Sequence, residues 1–137
     1  MATIHDQINS PTESFLDAAS NHVDLAVLTG FEEAQVEGEP DLVGELIDLY
    51  LEDATAKLAA MREAATKTNE ALLKRISHSL RGSSANLGVR QMAALCDQLE
   101  QIKGNGSLQT VGTHLTRLEE EFDLVRKIFV AERQRRL

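Results

Sequence analysis

Apolar residues recur along this chain at the spacing of one helical face, and nowhere do they alternate as a strand's would. Four long runs carry the pattern. The first holds Leu42/Val43, Leu46, Leu49/Tyr50, Ala54, Leu58 and Met61; the second holds Leu73, Ile76, Leu80 and Leu87, with small Ser83 and Ser84 filling a turn. The third is Met92, Leu95, Cys96, Leu99 and Ile102, and the fourth is Val111, Leu115, Leu118, Phe122, Val125 and Phe129. Such stripes bury one side of a helix and leave the other wet; Glu45, Asp48, Glu52 and Asp53 take the wet side of the first run. A shorter stripe, Leu25, Leu28 and Phe31, precedes them.

Breakers and caps set expected boundaries. Asp24 caps a first helix over residues 25–36, which Gly38 ends. Pro40 opens a second helix, residues 40–66, in its first turn, where a missing N–H is harmless. Thr68 or Asn69 caps a third helix that ends near Leu87, with Gly88 as its stop. A fourth follows over residues 89–103. Gly104-Asn105-Gly106 forms a tight turn, and Ser107 caps the fifth helix. The expected fold is all-α: an antiparallel up-down-up-down four-helix bundle, with an additional short N-terminal helix as a lid across one end.

The chain's 137 residues suit one domain. Residues 1–22 are polar and only weakly patterned (Ile4, Ile8, Phe15, Leu16), and are expected to be a flexible arm. Residues 23–132 are expected to form the bundle and 133–137 a basic tail. Residues 126–137 hold five bases against Glu132 alone, a net of +4 within a chain of −8, leaving −12 for the rest. That balance argues against nucleic acid as a partner, and the basic end is expected to favour a helix C-terminus or to be solvated. No run is long and apolar enough to cross a membrane, and no basic-then-apolar leader opens the chain. Cys96 has no second cysteine to pair with and falls on an apolar stripe, so it reads as a buried small hydrophobe. A cytoplasmic, monomeric protein is the expectation.

Little else offers chemistry. No Cys/His or Glu-x-x-His spacing supports a metal site, and no Gly-rich loop supports nucleotide binding. His5 and His22 lie in the arm without an assigned role, and His114, at the edge of its stripe, reads as structural. His78 differs. It lies about 200° around the helix from Ile76 and from Leu80, so its ring points to solvent. Arg75 and Arg81 stand three residues away on either side, which disfavours a protonated ring and favours a nucleophilic one. Gly82, at i+4, costs about 1 kcal/mol relative to Ala in a helix interior, but leaves clearance for a bulky group on the ring or for a partner. Residues 71–96 contain no Asp or Glu, but hold Lys74, Arg75, Arg81 and Arg90. A chain so acidic has kept carboxylates from one histidine, which suits a site that must bear phosphate.

The run His78-Ser79-Leu80-Arg81-Gly82-Ser83-Ser84-Ala85-Asn86-Leu87-Gly88 closely resembles the signature of histidine-containing phosphotransfer (HPt) domains of two-component phosphorelays. Arg81 stands where the family usually has Lys, and Ser77 where it usually has Ala. The resemblance extends over residues 24–130, though only the signature is specific. It implies a phosphorelay intermediate: His78 accepts a phosphoryl group from a receiver-domain aspartate and passes it to another. A non-transferring adaptor for a receiver or histidine kinase is the alternative. Partners would be response-regulator receiver domains and possibly a hybrid histidine kinase, with Mg²⁺ held by the receivers. The chain itself would need no cofactor or metal and would be no enzyme. Nε2 would take the phosphoryl group and Arg81 would contact its oxygens. Lys74 and Arg75 form a possible basic patch on the same face. Nδ1 needs an acceptor to fix the tautomer. Glu100, flanking the fourth helix's stripe and at the offset where similar domains place Glu or Gln, is the best candidate. Gln101 and Asp97 are the fallbacks, and a solvated surface carboxylate is the plain alternative. Ser83 and Ser84 read as small packing residues.

Overall fold

The computed structural model describes residues 21–102 and 108–136. All its regular structure is helical: α1 Leu25–Glu32, α2 Leu42–Thr66, α3 Glu70–Asn86, α4 Arg90–Gln101 and α5 Leu108–Arg135. The helices α2 to α5 close a ring in which each packs on two neighbours, α2 on α3, α3 on α4, α4 on α5 and α5 on α2, while α1 packs on α2. This is the expected bundle. Its core is one cluster that includes Ile47, Met61, Leu80, Met92, Leu99, Leu115, Leu118 and Phe129. Tyr50 sits inside it, edge-on to Phe129 with ring centroids 5.7 Å apart, and its hydroxyl hydrogen-bonds the buried Ser84 Oγ at 2.8 Å. Burial pushes the Tyr50 phenol well above its usual range, and pushes the Cys96 thiol up to about 12, so the thiol stays protonated and inert.

Several boundaries differ from expectation. α1 stops at Glu32, not Val36, and Gly38 (φ +86°) lies in the loop beyond. Pro40 precedes α2 rather than opening it; Asp41 is the cap, but its side chain makes no capping bond. Gln35 does that work instead. Its Oε1 accepts from Leu42 N at 2.7 Å, and its Nε2 donates to the carbonyls of Val36, Glu39 and Pro40. A glutamine seven residues before the helix carries no local capping signal, which is why the sequence pattern misses it. Asn69 caps α3 through Leu72 N at 3.2 Å, while Thr68 takes the left-handed turn position at φ +51°. Leu49, placed on the core stripe by periodicity, is 63% exposed. The turn at Gly104–Gly106 and the cap at Ser107 lie outside the described residues.

The ends also differ. α5 remains helical through Arg135, so the tail expected from residue 133 is continuous with the helix. Arg133 spans to Asp41 (3.3 Å) and Asp48 (3.1 Å), and Arg136 pairs with Glu32 and Glu132. His22, expected in the arm, folds onto the bundle: its Nδ1 lies 2.6 Å from Oε2 of the buried Glu121. Val23 is fully buried, and Asp24 N–H donates to Gly88 O at 2.8 Å. This strap leads into α1.

Gly88 takes φ +74° to turn α3 into α4, and a Cβ there would lie 2.8 Å from Asp24 O and 2.9 Å from Val27 Cγ2. Left-handed backbone costs an L-residue about 1–2 kcal/mol before any clash. Gly88→Ala is therefore expected to destabilise the fold by about 2 kcal/mol or more, as read from its urea midpoint.

Candidate functional site

The third turn of α3 presents His78 outward because Leu73, Ser77, Leu80 and Ser84 face the core. Its side chain is 68% exposed. α3 and α4 form a hairpin about Gly88, and α4 carries Glu100 back along the flank of α3. Glu100 Oε1 lies 2.8 Å from His78 Nδ1. Glu100 Oε2 accepts from Arg81 Nε at 2.5 Å, and Arg81 Nη2 stands 3.0 Å from the same Nδ1. Two groups thus meet one ring nitrogen. A carboxylate oxygen can only accept, whereas the rigid guanidinium N–H could donate only to a bare Nδ1; with Nδ1 taken as the donor in the shorter contact, to Glu100, Arg81 Nη2 is a nearby charge rather than a hydrogen-bond partner. Nε2 then keeps its lone pair, and among the described residues it makes no hydrogen bond.

The ring therefore has an anchored side and an open one. Nothing lies within 4 Å of the position a Cβ would take on Gly82, so no internal packing demands a glycine there. His78, Arg81 and Glu100 are brought together as one cluster. Lys74 pairs with Glu70 at 3.0 Å instead of reaching the ring. Arg75 lies on the other flank, beside a shallow apolar depression lined by Ala56, Lys57, Ala60, Ile76 and Ser79. Gln101 and Asp97 are exposed, and neither makes a bond to His78 among the described residues. Ser84 is more than filler, since its hydroxyl joins α3 to Tyr50.

Glu100 is expected at His78, but its pairing with Arg81 is not. The stretch without acids ends at Cys96, and the carboxylate that meets His78 comes from just past it, already paired with Arg81. The hairpin about Gly88 places Glu100 beside His78, but no signal in the spacing points to its second bond, to Arg81. Elsewhere, His114 Nδ1 bonds Thr110 O at 2.9 Å on its own helix, a structural role. Among the described residues no group of three His, Cys, Asp or Glu could hold a metal ion, and no helix is long and apolar enough to cross a membrane.

Comparisons with known proteins follow this geometry. The Hpt-domain family model matches residues 45–128. Histidine-containing phosphotransfer protein 2 of Arabidopsis thaliana is 30% identical over 71 residues, covering 50% of this chain and 46% of that protein, so the match spans about half of the relative's length. The crystal structure of histidine-containing phosphotransfer protein B from Pseudomonas aeruginosa superposes with a TM-score of 0.75 at 31% identity, covering 83% of this chain and 96% of that one. The maize histidine-containing phosphotransfer protein reaches a TM-score of 0.78, covering 91% of this chain and 98% of that one; at 22% identity it supports the fold alone. With its bundle matched and the family model spanning more than half its length, the chain belongs to the Hpt-domain family.

Proposed function

We propose that this protein is a phosphorelay intermediate that carries a phosphoryl group on His78 between the aspartates of two receiver domains. The observation that supports it best is the asymmetry of the ring, with Nδ1 tied to Glu100 at 2.8 Å and Nε2 unbonded on a side chain 68% exposed. In the forward step the Nε2 lone pair attacks the phosphorus of a receiver's aspartyl phosphate. The N–P bond forms as the P–O bond to aspartate breaks, and the aspartate leaves as a carboxylate. No proton needs to leave Nε2. The positive charge that develops on the ring is met by Glu100 through the Nδ1 hydrogen. Arg81, one turn along α3 from His78, would exchange its Glu100 contact for the phosphoryl oxygens. The return step reverses these bonds with the second receiver.

Apolar ground further along α3 supports docking. Leu49 stands out at 63% exposure, next to Phe31, Leu46, Ser83 and Asn86 in an open groove between α1, α2 and α3. The chain is a carrier in this reading, with ATP chemistry left to a partner kinase and no metal or cofactor of its own. A cytoplasmic location accords with it.

The test is incubation with a phosphorylated receiver, followed by a search for acid-labile, base-stable label on this chain. Stable binding without label would favour the adaptor reading instead. Gly82→Leu separates site from scaffold. Its added side chain enters open space and improves helix propensity, so stability is expected to hold or rise by about 0.5–1 kcal/mol. Transfer is expected to fall at least tenfold because the clearance beside Nε2 is lost. Unchanged transfer would remove Gly82 from the site.

A further inference from the structure

A carboxylate beside a histidine normally has two effects. It orients the ring, and it draws a second proton onto it. The first helps a nucleophile and the second removes its lone pair. Glu100 sits 2.8 Å from His78 Nδ1 and should do both. Its other oxygen, however, is held by Arg81 Nε at 2.5 Å, and Arg81 Nη2 sets a positive charge 3.0 Å from Nδ1. We propose that Arg81 is a positioning residue in the unphosphorylated protein: it neutralises Glu100, so that the carboxylate aims the ring without protonating Nε2.

This inference rests on reading His78 as the phosphoryl acceptor, and adds to Arg81 a duty it performs before any phosphate arrives. The geometry favours it over a standing phosphate clamp, because the guanidinium lies on the Nδ1 side of the ring, engaged with Glu100. Each Glu100 oxygen has one partner, the imidazole N–H or the guanidinium. Glu100 is only 18% exposed on its side chain, so water screens this pair less than it screens a surface pair.

Other charges near the ring come from three helices. On α3 are Lys74, paired with Glu70, and exposed Arg75. On α4, exposed Asp97 stands one turn before Glu100. On α2, Lys57 pairs with Asp53 at 2.7 Å and borders Ser79 on the far flank. All are unchanged in the variants below, so their effects cancel in a comparison with the parent.

The experiment measures transfer from a phosphorylated receiver at pH 6 and pH 8 for the parent, Arg81→Gln, Glu100→Gln and the double variant. Ring ¹⁵N shifts of His78 are recorded alongside across the same pH range. With Arg81→Gln, Glu100 is left unneutralised and the ring takes up its second proton at higher pH. The ratio of the rate at pH 8 to that at pH 6 is then expected to exceed the parent's about fivefold, somewhat below the tenfold of one pH unit. Adding Glu100→Gln removes the unbalanced charge and is expected to return the ratio to that of the parent, even if both rates stay low. A merely structural role for Arg81, or a role confined to the phosphoryl oxygens, slows transfer by the same factor at both pH values and overturns the proposal. So does a double variant that keeps the raised ratio. Absence of label on parental His78 would instead defeat the acceptor reading, and the ¹⁵N titrations would still decide the charge argument.

Discussion

A His78→Gln protein is expected to take up no label from a phosphorylated receiver, and to unfold at the parent's urea midpoint. The two halves of this result have one cause. The ring is 68% exposed and contributes nothing to the core, so replacing it should change stability by no more than about 0.5 kcal/mol. Gln keeps a polar side chain of similar reach but has no lone-pair nitrogen able to attack phosphorus. No nearby group can substitute: Ser79 has no base to activate it, and His114 lies on α5 with its Nδ1 bonded to Thr110 O. Residual label in this variant would mean the acceptor is another residue, and would undo the site as described. The measurement is a time course of acid-labile label, run beside urea unfolding of the same preparation.

Phe129→Ala is expected to do the reverse, destabilising the fold by about 3–5 kcal/mol while leaving the transfer chemistry intact below the unfolding transition. Phe129 is fully buried, and its ring meets that of Tyr50 edge-on at 5.7 Å and 79°. Truncation removes the aromatic contact and leaves a cavity between α5 and α2, which close packing cannot fill without moving helices. Tyr50 also holds Ser84 on α3, so the cavity lies one hydrogen bond from the helix that bears His78. Urea titration gives the free energy. A loss below about 1.5 kcal/mol would mean the core collapses around the site more easily than interlocked rings allow.

Much of this was legible in the sequence because it rests on local rules. Helical periodicity specifies five helices without a competing strand pattern, and Asp24 and Asn69 act as the caps their chemistry predicts. Gly88 turns the chain with the positive φ expected of a glycine stop. The outward direction of His78 follows from its angle to Ile76 and Leu80, and the burial of Cys96 follows from its stripe. What failed depends on the company a residue keeps in space. Leu49 shares a turn with Tyr50, but periodicity alone cannot say which of two adjacent apolar residues faces the partner helix. His22 looked like part of a polar arm, because the buried carboxylate that meets it lies 99 residues away on α5. The basic C-terminus reads as favouring a helix end or solvent, and its ion pairs go unseen for the same reason, the partners Glu32, Asp41 and Asp48 being far off in sequence. Glu100 could be placed near His78 by the hairpin, but its simultaneous grip on Arg81 required side-chain directions that spacing does not supply.

The α3–α4 hairpin has a consequence for how such a chain can change. His78 and Arg81 lie only 22 and 19 residues from Glu100, so the proposed reacting cluster is assembled by neighbours in the chain. Ring closures that short form early and tolerate alteration elsewhere. The apolar wall of the groove, Phe31, Leu46 and Leu49, comes from α1 and α2, while α3 adds only Ser83, Asn86 and the Leu87 that follows it. Descendants of this chain could therefore acquire new signalling partners by rewriting those two helices, while the chemistry passes on untouched.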